Sequence, residues 1–267
     1  MSLRSLKSIL KLSLLVILLP VSSTAYCWGL TGHRIVGEIA QQHLSGKAKK
    51  ELKKLIGKET LAWWSNWSDF IKSDSSWRHA DPWHYVNVPS GLSKDSFVLA
   101  LKNLEVKSLY SQLYATMSEL GNKSLPLEQR QVALRFLIHL MGDMHQPLHV
   151  GRSEDQGGNK IVVYWFDRKT NLHSLWDTWL LDNQNYSYTE YARLLDIAPR
   201  QQADAWKQGS IEDWLYESYL LAAQIYDSAR MEDKLGYRYN FLYVKMMEEQ
   251  LLKGGLRLAE VLNRSFN

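Results

Sequence analysis

The stretch from Val132 to His149 is almost uniformly apolar, yet it carries an imidazole and a carboxylate, His139 and Asp143, four residues apart. Val132, Phe136, Leu137 and Leu140 recur at helical spacing, and Pro147 cannot continue a helix because it lacks the backbone donor and clashes with the preceding turn. The spacing therefore predicts a buried helix that stops near Pro147 and projects His139 and Asp143 from one face, within reach of a single ion. Burying these groups is unfavourable unless they are paired or metal-bound. Taken alone, the two read equally as a satisfied His–Asp core pair or as metal ligands.

Further groups of the same chemistry lie along the chain. His149 follows the helix-ending Pro147, where the turn can present it to a second ion nearby, and His173 and Asp177 repeat the four-residue spacing between Leu172, Leu175 and Trp176. Asp69 sits in an aromatic-rich helical run (Trp63, Trp64, Trp67, Phe70), where it also reads as a surface acid. His84 alternates with Tyr85 and Val86 in a predicted short strand, where it also reads as a packed core histidine. His43, His79 and His145 have no comparable partner and read as structural or surface residues. His145, two places after Asp143, is predicted to point away from it.

The rest of the chain is mostly helical in pattern. Stripes run through Ile35, Val36, Ile39 and Ala40, through Ala48, Leu52, Leu55 and Ile56 before Gly57, and from Leu101 through Leu104, Leu109, Leu113 and Met117 to Leu120. Ser210 with Asp213 resembles a capping box opening a helix towards Arg230, and a last helix from about Tyr239 to Leu262 tolerates Gly254-Gly255. Two β-branched and aromatic runs, Trp83 to Val88 and Ile161 to Phe166, are the exceptions and are expected to form a minor hairpin, with 167–171 as a polar turn. The fold class is therefore mainly α: one compact multi-helix domain with a minor β-hairpin, without repeats or linkers.

The first 27 residues read as a secretory signal peptide: a basic start (Arg4, Lys7, Lys11), an apolar block from Leu12 to Leu19 too short to span a bilayer, and small residues at Ala25 and Cys27. Cleavage would leave 240 of the 267 residues, 28–267, beginning at Trp28 with a free α-amine five residues before His33. A lipid-modified Cys27 is the competing reading, less favoured because Tyr26 is bulky, and it would abolish that amine. The segment holds three of the 32 Lys and Arg and none of the 28 acids, so the remaining chain falls from +4 to +1. Such a balance argues against binding of nucleic acid through a broad basic stripe, and any attraction for phosphate must be local. Cys27 is the sole cysteine, so residues 28–267 hold metal with nitrogen and oxygen or not at all. The expected location is secreted or periplasmic, with no stable membrane association after cleavage and no obligate protein partner.

Several short motifs recur in order: Trp28-Gly29-Leu30-Thr31-Gly32-His33, Trp67-Ser68-Asp69, the segment His139 to His149, Gly157-Gly158-Asn159, and Asn171 to Thr178. Together they resemble the S1/P1 nuclease family, zinc-dependent single-strand nucleases and 3′-nucleotidases with a mainly helical fold shared with the bacterial zinc phospholipases C. The resemblance spans essentially all of residues 28–267. It implies three Zn²⁺ ions: one on Asp69, His84, His139 and Asp143, one on the Trp28 amine and carbonyl, His33 and a shared Asp143, and one on His149, His173 and Asp177.

The resemblance further implies hydrolysis of single-stranded RNA and DNA to 5′-phosphorylated products, and of 3′-nucleotides, by a metal-bound hydroxide. Asp69 would orient or deprotonate the water and Lys72 would offset charge on the phosphate. Tyr85 would stack a base, with Asn87 and Asn159 adding polar contacts. Relatives often carry an acid where this chain has Asn87. Three Zn²⁺ against three ligand carboxylates leave roughly +3 in a small cleft, enough to draw a phosphodiester to a nearly neutral protein. The alternatives are a zinc-dependent phospholipase C and a non-catalytic zinc-binding protein. The phospholipase pattern usually has Glu where this chain has Asp177, and Tyr85 suits a base better than a lipid headgroup.

Overall fold

In the computed structural model, which describes residues 28–266, the α-helices of eight residues or more are α1 (Leu30–Gln42), α2 (Gly46–Ile56), α3 (Lys94–Lys102), α4 (Leu109–Gly121), α5 (Leu127–Asp143), α6 (Tyr188–Leu195), α7 (Ile211–Ser228) and α8 (Tyr237–Ser265). The signal-peptide reading falls on residues 1–27, outside the described residues. No helix among the described residues is long and apolar enough to cross a membrane.

Local signals set several helix ends. Ser45 accepts from the Ala48 N–H to open α2, and Gly57 closes it at φ 64°, a conformation that disfavours any residue with a Cβ. Ser210 and Asp213 form the reciprocal capping box, and the helix they open runs to Ser228. The stripe from Leu101 to Leu120 is not one helix: it breaks between α3 and α4, because Ser108 and Ser111 form a cap that restarts the chain at Leu109.

The glycine pair in the last helix does more than survive there. A Cβ on Gly255 would stand 2.5 Å from Ile39 Cβ, and one on Gly254 would stand 3.2 Å from Val36. Their bare backbone is what lets α8 lie directly on α1, and the gain in packing outweighs the roughly 1 kcal/mol per glycine lost in helix propensity.

The hairpin has a different second strand from the one expected. β1 (Val162–Trp165) pairs antiparallel with β2 (Arg168–Asn171), Trp165 opposite Arg168 and Val162 opposite Asn171, and β3 (Lys234–Leu235) joins β1 in parallel. Phe166 and Asp167 make the turn with φ of 46° and 61°, so most of the stretch read as a polar turn is itself an edge strand. Residues 83–88 take no part in this sheet. Trp83 and His84 end a 3₁₀ helix, Ser75–His84, and are both buried, which an alternating strand forbids. Beyond them the chain runs extended: Val86 N–H donates to His149 O at 2.8 Å and Val88 N–H to Gly151 O at 3.1 Å, which stitches this segment to the turn after α5.

Candidate metal centre

Six separate elements bring polar side chains to the buried end of α5. His139 and Asp143 come from α5 itself, His33 from the first turns of α1, and Asp69 from the short helix Trp67–Phe70. His84 ends the 3₁₀ helix, and His149 lies in the short turn Pro147–Val150. His173 and Asp177 belong to a helical stretch that Asn171 opens by accepting from the Ser174 N–H, with a π-helical turn over Leu175–Trp179. Single π turns are rare and gather at functional sites.

Asp143 is the hub. Its carboxylate lies 3.4 Å from His33 Nε2, 3.0 Å from His84 Nδ1, 3.3 Å from His139 Nε2 and 3.6 Å from His149 Nδ1. Asp69 Oδ1 is 3.6 Å from His139 Nε2, while Asp177 is 3.4 Å from His149 Nε2 and 3.1 Å from His173 Nε2. Three sets of potential ligand atoms converge within 4.8 Å: His33, Asp69 and His139; His84, His139 and Asp143; and His149, His173 and Asp177. His33 therefore faces Asp69 and His139 as well as Asp143, and its ring stacks on His139 at 3.8 Å. Trp28 is fully buried, and the next residue, Gly29, donates its N–H to Asp177 O at 2.6 Å, so the chain just before α1 is anchored beside the third set.

Backbone carbonyls fix the rings. Nδ1 of His139 donates to Ser65 O, that of His149 to His84 O and that of His173 to Gly157 O, each at 2.7 Å. In the neutral ring each bond leaves Nε2 as the bare lone pair, the arrangement found behind metal-bound histidines. Gly157 and Gly158, at φ 64° and 86°, make the turn that delivers that carbonyl, and a Cβ on Gly157 would stand 2.6 Å from Leu148 O. Gln146, to which the sequence reading gave no role, donates to Asp177 Oδ1 and accepts from the Leu148 N–H. Its sequence sign is its place within the motif segment His139 to His149, directly before Pro147.

The donor set suits a divalent cation. Both ring nitrogens of His33, Nε2 of His149, and one oxygen each of Asp69, Asp143 and Asp177 are buried without a hydrogen-bond partner among the described residues. Leaving so many polar atoms unsatisfied would be costly unless a further group accepts their lone pairs. All are nitrogen or oxygen, which zinc accepts at low coordination number.

Electrostatics point the same way. Burial pushes the His139 imidazole down to about 3, which keeps it neutral, and lowers His84 too. For His149 burial opposes the charge, but the Asp143 and Asp177 carboxylates prevail and raise it to about 9. Asp69, Asp143 and Asp177 are disfavoured as anions by burial, yet neighbouring imidazoles, and Lys72 at Asp69, hold them below the ordinary carboxylate range. The carboxylates, His84 and His139 are thus already in their ligand forms, while His149 holds a proton that a bound cation would displace.

A cleft of about 610 Å³ opens over this cluster. Lys72, Tyr85, Asn87 and Asn159, singled out from the sequence, line it together with His84, His149 and His173. Lys72 Nζ lies 2.7 Å from Asp69 Oδ1, Tyr85 is 43% exposed, and the Asn159 amide donates to Gln156 O at 2.9 Å. Arg78, Asp81, Gln156 and Asn171 also line the cleft and went unread in the sequence. His145 points away as expected, buried between Met141 O and Arg257, while His43 pairs with Asp196 and His79 lies on the surface.

A model described as S1/P1 nuclease matches residues 28–267. The chain belongs to the S1/P1 nuclease family. Among its relatives, Endonuclease 4 of Arabidopsis thaliana is 31% identical over 94% of this chain and 93% of its own length. Nuclease S1 of Aspergillus oryzae is 27% identical over 91% and 95%, and Nuclease P1 of Penicillium citrinum is 26% identical over 88% and 97%. Within this member of the S1/P1 family, α5 approaches α1 at Gly142, where a Cβ would stand 2.6 Å from His33 Nδ1. Gly142→Ala should therefore displace His33 while the helix gains up to about 1 kcal/mol of propensity. We expect at least a tenfold loss of turnover and lower bound zinc with the circular dichroism spectrum retained. An unchanged metal content and rate would show that His33 has room to spare.

Proposed function

We propose that the chain is an exported zinc-dependent endonuclease that hydrolyses single-stranded RNA and DNA to 5′-phosphorylated products and also acts on 3′-nucleotides, with three zinc ions at the cluster. That it is a hydrolase of nucleic-acid ester bonds follows from its family; the rest is our reading. The observation that carries it is the convergence of buried, unpartnered imidazole and carboxylate atoms on the floor of a cleft whose wall presents an exposed tyrosine.

Asp69, His84, His139 and Asp143 would hold one ion, Trp28, His33 and Asp143 a second, and His149, His173 and Asp177 a third. Bound zinc supplies Lewis-acid charge at the phosphate and acidifies water near neutral pH. The side chains do the rest. Asp69, held ionised with Lys72 on Oδ1, keeps Oδ2 available to orient a water or take its proton. Lys72 offsets charge growing on the phosphate. Tyr85 offers a ring for any unpaired base, and Asn87 and Asn159 add polar contacts; stacking of this kind demands a strand without a partner. The role of Trp28 requires removal of residues 1–27, as happens to a signal peptide on export to a periplasm or the medium.

The test is one assay panel on the purified protein: single-stranded DNA, single-stranded RNA, a 3′-mononucleotide and phosphatidylcholine, each before and after chelation and zinc return, with the amino terminus sequenced. We expect zinc-restored cleavage of the first three and a terminal tryptophan. Turnover of phosphatidylcholine alone would establish a phospholipase, and metal binding without any phosphoester cleavage would establish a zinc-binding protein.

A further inference from the structure

A second cation faces the cleft away from the cluster. The 3₁₀ helix Ser75–His84 is long for its type, and at three residues per turn its side chains eclipse at every third position. Arg78, Asp81 and His84 therefore stand on one ridge, and all three line the cleft. With a rise of about 2 Å per residue, Arg78 lies roughly 12 Å along the helix from His84. Lys72, the other cation of the cleft, is engaged by Asp69 at 2.7 Å. The Arg78 side chain is exposed and makes no hydrogen bond or ion pair with any described residue, and the same holds for the Asp81 side chain.

We propose that Arg78 is a binding site for a backbone phosphate of the substrate strand beyond the one being cleaved, and so sets a preference for oligonucleotides over mononucleotides. The inference rests on the nuclease reading above. A guanidinium with no partner among the described residues keeps its donor fork for two phosphate oxygens, a contact added to the attraction of the cluster. Asp81, one turn nearer the cluster, repels a phosphate from the intermediate position. The ridge thus spaces two phosphate sites, one at the cluster and one at Arg78, with an anion between them. A mononucleotide reaches only the first.

The experiment measures equilibrium binding of a hydrolysis-resistant phosphorothioate decanucleotide to the zinc-loaded protein as salt is varied, for wild type, Arg78→Gln, Arg78→Lys and Asp81→Asn. It is paired with kcat/KM on a decanucleotide and on a 3′-mononucleotide. Arg78→Gln should weaken decanucleotide binding about tenfold and flatten the log–log salt slope by about 0.7, the value for one lost contact on a single strand. It should lower the ratio of decanucleotide to mononucleotide kcat/KM by a similar factor. Arg78→Lys should recover the slope with only part of the affinity, and Asp81→Asn should raise affinity. An unchanged slope in Arg78→Gln, or an equal loss on both substrates, overturns the assignment while leaving the nuclease reading intact. Failure of wild type to bind the decanucleotide at all overturns both.

Discussion

Asp143→Asn should abolish useful activity and strip most of the metal while leaving the helical fold in place. The carboxylate stands within 3.6 Å of four imidazoles drawn from α1, α5 and the two segments that carry His84 and His149. Asn keeps its shape but removes the charge and one of the two acceptor oxygens, and in the proposed arrangement two ions share that residue. Loss of a group that merely orients a ligand costs about 10–100-fold, so loss of a shared ligand should exceed about 100-fold in kcat. Bound zinc should fall from three equivalents towards one, held by His149, His173 and Asp177. Elemental analysis of the purified variant, alongside circular dichroism to establish folding, reads this directly. Three equivalents of zinc with wild-type turnover would remove Asp143 from the ligand set and with it the central contact of the site.

The reach of sequence reading differed from residue to residue for physical reasons. His139 and Asp143 were visible because the 3.6-residue period of an otherwise apolar helix leaves few readings for a charged pair four apart. His173 and Asp177 were visible on the same ground. Asp69 and His84 had strong competing readings as a surface acid and a core histidine. The motif resemblance alone tied them to the others, since the contacts that gather them, Asp69 to His139 and His84 to Asp143, join positions some sixty to seventy residues apart.

Arg78 and Asp81 were missed because their alignment depends on a three-residue period in a segment expected to lead into a strand. β2 was missed because an edge strand facing solvent carries Arg168, Lys169 and Thr170 and shows no apolar alternation. Gly254 and Gly255 register as propensity defects until the partner helix is in view. Their use lies entirely in Val36 and Ile39.

The second large effect lies away from the cluster, in a charged network that α8 buries against α7. Arg257, 4% exposed, donates to Glu217 Oε2 at 2.6 Å, to Trp206 O at 2.9 Å and to His145 Nε2 at 3.0 Å; Lys253, 9% exposed, pairs with Glu217 Oε1 and Glu249. Both cations also face indole rings, Trp214 and Trp206. Glu217 is the anion that both share. Glu217→Gln leaves the guanidinium buried with no carboxylate and Lys253 with only the half-exposed Glu249, a loss of about 3–5 kcal/mol. For a domain of this size that is a fall in Tm of about 6–20 °C.

Its pH dependence distinguishes a charge effect from lost packing. Burial opposes the Glu217 anion, but Arg257 and Lys253 bring its pKa from 4.5 down to about 2. The stabilisation is therefore complete above about pH 4.5 and disappears as pH falls through 2. The gap in Tm between wild type and Glu217→Gln should be widest near neutrality and close on acidification. A gap that stays constant from pH 7 to pH 2.5 would assign the loss to shape instead. Because Arg257 also holds His145, whose other ring nitrogen donates to Met141 O in the last turn of α5, the same variant should loosen the end of the helix that carries Asp143. Hydrogen exchange at residues 141–145 should quicken in Glu217→Gln before any global unfolding, since the ring loses the anchor that the ion pair keeps in place.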